Sequence, residues 1–179
     1  MSRTLPAPTS RGFTLVELLI VMAIVGILAA MAVAGYRHAR VTATEGVAIA
    51  ALRAINQAQF AFSQTCGNQK YSPTLAGLAV PHPHTGSAFL SPDLAMDPVQ
   101  KSGYTFTMDG PDPDDLSIQS CNGLVPVTTY RVVADPTNPG ATGIRYFATN
   151  TDRVIFADTV SYAEDMPHTG APGHGSEIR

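Results

Sequence analysis

Glu17 is the only charged side chain between Arg11 and Arg37, and it sits inside the apolar run FTLVELLIVMAIVGILAAMAVAGY of residues 13–36. A carboxylate near the end of a membrane helix costs a few kcal/mol on insertion scales, and less close to an interface. Two chemistries accommodate it: solvation at the headgroup level, or pairing with a cation inside an apolar environment. No Lys or Arg lies nearby on the same helix except Arg11. A cut just before Phe13 creates a new α-amino group one turn upstream of Glu17. The amine of a neighbouring chain then supplies the missing cation.

The remaining reactive side chains are sparse. Cys66 and Cys121 are the only cysteines, which leaves a disulfide or two buried thiols. His82 and His84 flank Pro83, and His168 and His174 lie near the C-terminus, with no Cys or carboxylate cluster beside them in sequence. A metal centre needs more ligands than that, so a surface loop is the reading. Asp109, Asp112, Asp114 and Asp115 resemble a calcium loop in charge only. They lack the Gly and terminal Glu of an EF-hand, which favours a solvated acidic turn. No G-x-S-x-G frame and no Gly-rich phosphate loop organises any Ser, His or Lys. The sequence therefore points to no enzyme, no catalytic residue, no cofactor and no metal.

The elements that position Glu17 follow from patterning. Charged residues are only 14% of the 179-residue chain, against roughly 25% in an ordinary soluble domain, and the deficit is concentrated in residues 13–36. That segment is long enough for a bilayer core, which needs about 20 apolar residues. Helical spacing continues beyond it: Ala48, Leu52, Ile55 and Phe62 recur on one face, with Arg53, Asn56, Gln57 and Ser63 placed on others. No proline interrupts residues 9–72, and Gly67-Asn68 is a stop signal, so one helix from about Phe13 to Ser63 is predicted. Residues 67–100 read as a loop with a helical turn at 74–78. Strands are predicted at Tyr104–Met108, Thr128–Ala134, Gly143–Thr149 and Arg153–Ala157, the last two as a hairpin, with a further one at Leu116–Cys121. The fold class is α+β: a long N-terminal helix packed on a C-terminal antiparallel sheet. Residues 161–179, rich in Gly, Pro and His, read as a flexible tail. A formal charge of −3 with no basic block disfavours nucleic acid as a partner.

Arg11-Gly12-Phe13-Thr14-Leu15-Val16-Glu17 and the apolar run after it closely resemble the class III signal of type IV pilins and related pilin-like proteins. The resemblance covers about residues 11–36. It implies that a membrane prepilin peptidase cleaves between Gly12 and Phe13 and N-methylates Phe13. It also implies that Glu17 pairs with the terminal amine of an adjacent subunit as filaments assemble. The small Gly12 suits a peptidase that needs an open approach to the backbone. A buried ion pair is heavily penalised when one partner is missing, so such a pair enforces register more than it adds stability. The sequence departs from many pilins at Ala34, where they carry Pro, and its leader with Pro6 and Pro8 is longer than many.

The implied organisation is a leader at 1–12, a membrane and polymerisation segment at 13–36, an amphipathic helix half at 37–65, a sheet domain at 66–160 and a tail at 161–179. Loss of the leader removes Arg3 and Arg11, leaving nine Lys and Arg against fourteen Asp and Glu, a formal charge of −5. The resemblance places the leader inside and the sheet domain outside the cytoplasm of a bacterium. In that oxidising compartment Cys66 and Cys121 are expected to form a disulfide, worth about 4 kcal/mol on chain-entropy grounds. The expected partners are other pilin subunits, the prepilin peptidase and methyltransferase, the inner membrane before assembly, and pilus or secretion assembly machinery. A surface pilus or periplasmic pseudopilus is the expected destination. Two alternatives stand beside a pilus subunit. One is a pseudopilin of type II secretion; some of these bind calcium in the sheet domain. The other is a periplasmic binding domain freed by ordinary signal peptidase at Ala30-Met31-Ala32 or Ala32-Val33-Ala34. The length of the apolar run, the carboxylate near its start and the continuing helical pattern all weigh against the second.

Overall fold

A computed structural model describes residues 12–178. The chain divides into two compact units, the first ending at His38 and the second beginning at Ala39. One helix, α1 (Leu15–Thr65), belongs to both and runs unbroken through position 34. Its bounds lie within two residues of those read from the 3.6-residue pattern. Between Glu17 and Arg37 α1 carries no charged side chain, and among the described residues of that stretch none is buried. The leader expected at 1–12 lies outside the described residues except for Gly12.

In the second unit α1 packs on a six-stranded antiparallel meander, in the order β1 (Val99–Lys101), β2 (Tyr104–Asp109), β3 (Arg131–Pro136), β4 (Tyr146–Asn150), β5 (Ile155–Asp158) and β6 (Ser176–Ile178). The helix-facing row pairs Phe106 with Ala134, Ala134 with Phe147 and Phe147 with Ala157. This large–small alternation leaves room for Leu52, Ile55 and Phe62 of α1, all fully buried in the same core. A short helix, α2 (Leu75–Leu78), closes one end under an N-cap from Thr74, whose hydroxyl accepts the Gly77 N–H.

Polar groups on the packed face of α1 bind the sheet. Asn56 and Ser63, placed by pattern on other faces, are buried. Asn56 is there because it is satisfied: its Nδ2 donates to Thr149 Oγ1 at 2.9 Å and its Oδ1 accepts the Tyr130 hydroxyl at 3.0 Å. Gln59 exchanges two 2.9 Å bonds with the backbone of Ser72. Glu45, a residue that hydropathy alone would turn outward, is also buried.

Four expectations are corrected. Leu116–Cys121 is not a strand: Asp115 caps a turn through Ser117, and the backbone N–H of Cys121 is drawn to Cys66 O at 2.9 Å. β3 starts at Arg131 rather than Thr128, because Val127 pairs with Tyr71 and the Tyr130 N–H turns to Thr151 Oγ1. The 67–100 loop contains β1, too short for alternation to reveal. Residues 161–178 are not a loose tail. The outer face of the sheet presents Val133, Ala148 and Phe156, and Tyr162 and Met166 bury themselves against these in a second core. β6 then adds to β5. The turn into β6 uses Gly175 at φ +83°, where a Cβ would lie 1.8 Å from the Tyr162 hydroxyl.

Candidate functional site

The first described turn of the chain joins Glu17 to Thr14. Thr14 precedes α1 and Glu17 lies three residues on. The Thr14 N–H and hydroxyl donate to Glu17 Oε2 at 2.9 and 2.7 Å, and Thr14 Oγ1 accepts the Glu17 N–H at 3.3 Å. This reciprocal pair is a capping box, which satisfies helix N-terminal donors and places a negative charge against the positive end of the helix dipole. Glu17 therefore has a local role that sequence reasoning missed, although the T-x-x-E spacing signals it. Among the described residues its Oε1 accepts no bond. The carboxylate is held at the helix start by Thr14.

Phe13 itself is 80% exposed. Gly12 is exposed, and a Cβ built on it would meet nothing within 4 Å among the described residues. Packing among the described residues thus places no demand for glycine at this position. Beyond Glu17, large apolar side chains such as Leu19, Ile24, Leu28 and Met31 are all more than half exposed. Such an all-round apolar helix demands lipid or other helices as its surroundings.

Residues 8–33 match the family model described as the prokaryotic N-terminal methylation motif. The chain carries a prepilin-type N-terminal signal. That signal is the mark of type IV pilin-like proteins, pseudopilins included, which are structural rather than catalytic. Together with the apolar half of α1, it fits a membrane-anchored protein. No match to a curated protein was found.

The other residues considered for chemistry lie in the second unit and are dispersed. Cys66 and Cys121 are joined as a disulfide with their Cα atoms 4.8 Å apart, which ties the end of α1 to the 116–124 loop. His82 and His84 are near neighbours on an exposed loop, and the His84 N–H donates to His82 Nδ1 at 3.2 Å. Of the four aspartates, Asp109 is bound by Arg131 through two bonds of 2.7 and 2.9 Å, and Asp115 is turned into its own loop by Ser117. His168 Nε2 lies 3.4 Å from Asp109, and His174 Nδ1 lies 2.7 Å from Asp158. The His174–Asp158 contact fastens the C-terminal segment to the sheet. Among the described residues no three His, Cys, Asp or Glu side chains cluster as a metal site.

Glu45 completes the polar inventory. Its Oε1 accepts the backbone N–H groups of Ile144 and Arg145 at 2.9 and 3.1 Å, and its Oε2 takes Arg145 Nε at 2.8 Å. Burial works against its ionised form, but these donors outweigh burial and hold the carboxyl below its ordinary range. The result locks the second half of α1 onto the β3–β4 connection.

Proposed function

We propose that this chain is a prepilin, the structural subunit of a type IV pilus-like filament. It is clipped after Gly12, N-methylated at Phe13, and polymerised through residues 13–36. The observation that carries the reading is the carboxylate of Glu17, held at the start of a helix whose apolar surface nothing among the described residues covers. In the membrane, lipid covers that surface; in a filament, the same surface of neighbouring subunits replaces lipid. Helices packing in an apolar core leave an unpaired carboxylate strongly penalised. The Phe13 amine of an adjacent subunit relieves that penalty, and only in the correct axial register. The helix thus acts first as an anchor and then as the polymer core. The work is mechanical, with no chemistry catalysed and no cofactor.

Two substitutions separate the capping role of Glu17 from the pairing role. Glu17→Gln retains an oxygen for the Thr14 N–H but removes the charge, whereas Thr14→Val weakens the cap and retains the charge. In the native host, Glu17→Gln is expected to be processed and inserted normally while surface filaments are lost. Thr14→Val is expected to assemble. Abundant filaments from Glu17→Gln would overturn the pairing.

A further inference from the structure

On the second unit, Arg53 and Arg153 form no ion pair among the described residues. Both line one groove of about 430 Å³ with Gln57, Phe60 and Asp152. Phe60 is 47% exposed, and the Arg153 guanidinium lies over its ring at 4.6 Å. Arg153 is held there by its backbone. Its φ is +63°, its N–H donates to Asn150 O at 2.8 Å, and its carbonyl accepts Asn56 Nδ2 at 3.3 Å. The one carboxylate in the groove, Asp152, is engaged by the Gly170 N–H at 2.6 Å. The helix layer therefore carries a fixed patch that is aromatic and cationic, on a chain that is net negative.

The opposite layer carries its complement. After β5 the chain exposes Val160, and then Glu164 and Asp165 between the buried anchors Tyr162 and Met166, around a hollow of about 280 Å³. His174 Nε2 approaches Asp165 to 3.8 Å, and no other cation pairs with either carboxylate among the described residues.

We infer that these patches are the two halves of one repeated contact between sheet domains. The Arg53–Phe60–Arg153 groove of one copy receives the Val160–Glu164–Asp165 surface of the next. The inference rests on the filament-subunit reading and names the domain surface it uses. Each patch repels itself, so a two-fold pairing through either one is disfavoured. A contact between unlike patches on opposite layers is head-to-tail, and such contacts propagate into open helical polymers. Exposed ion pairs contribute little binding free energy, so the contact orients successive domains while the helices hold the polymer together.

Charge reversal in the full-length chain, expressed in its native host, tests this. Arg53→Glu with Arg153→Glu, and separately Glu164→Lys with Asp165→Lys, are each expected to cut surface filaments about tenfold, as like charges are brought face to face. The four-fold combination is expected to restore them, a rescue that misfolding of either variant does not permit. Unchanged filaments in either double variant overturn the contact, and so does a loss that the combination leaves in place. Failure of the filament reading itself looks different: the parental chain then yields no filaments whatever its charges.

Discussion

Glu45 of α1 and Arg145 of the β3–β4 connection meet at 2.8 Å, with both Nε and Nη2 of the guanidinium directed at the same carboxylate oxygen. The other oxygen takes two backbone N–H groups. Glu45 is buried while Arg145 keeps nearly half its side chain in water. The pair is thus a buried anion served by four donors rather than a surface salt bridge, and its loss strands the backbone donors.

Because the folded carboxyl of Glu45 lies below its unfolded range, its contribution is complete above the ordinary carboxylate range. It disappears as pH falls through the lower, folded value. Glu45→Gln, studied as the full chain in detergent, is expected to lower unfolding free energy at pH 7 by about 1–3 kcal/mol. The variant is also expected to lose less stability than the parent on acidification below pH 5. Equal stability of the two proteins at pH 7, by denaturant titration, would count against the clamp.

The helix and most of the sheet were legible because their signals are local. The 3.6-residue spacing of Ala48, Leu52, Ile55 and Phe62 marks the buried face, and alternation in Tyr104–Met108 marks β2. What escaped were elements fixed by partners distant in sequence. Asn56 is turned inward by Tyr130 and Thr149, and Cys121 is taken out of any strand by Cys66. The C-terminal segment is polar enough to read as loose, yet the apolar outer face of β3 to β5 recruits its two large side chains. At the candidate site, Glu17 stands out as the lone charge in an apolar run, while Gly12 and Phe13 enter through the resemblance to prepilin-type signals. The Thr14 cap is equally written in the sequence as the T-x-x-E spacing, a signal that the apolar run around Glu17 masks.

The Cys66–Cys121 bridge closes a loop with a sequence separation of 55. On the chain-entropy account its removal destabilises the sheet domain by about 4 kcal/mol. Cys66→Ser with Cys121→Ser is therefore expected to lower the denaturant midpoint substantially, with the N-terminal half of α1 still inserting in membranes. An unchanged midpoint contradicts the role assigned to the bridge.

Met166 is fully buried against the outer face of the sheet, and Arg131 Nη1 donates to its carbonyl at 2.8 Å. Met166→Ala is expected to cost about 2–5 kcal/mol, the range for a large-to-small change in a core. It is also expected to make residues 161–178 susceptible to limited proteolysis, which the parent protein is expected to resist. A parent protein trimmed readily at these residues would restore the picture of a loose tail.

Processing of the prepilin-type signal between Gly12 and Phe13 is tested by mass spectrometry of the mature N-terminus on protein from its native host. The account predicts a chain that starts at Phe13 and carries one methyl group on its α-amine. A chain that starts beyond Ala30 would contradict it, since the helix half bearing Glu17 would then be discarded and the filament reading would fall with it.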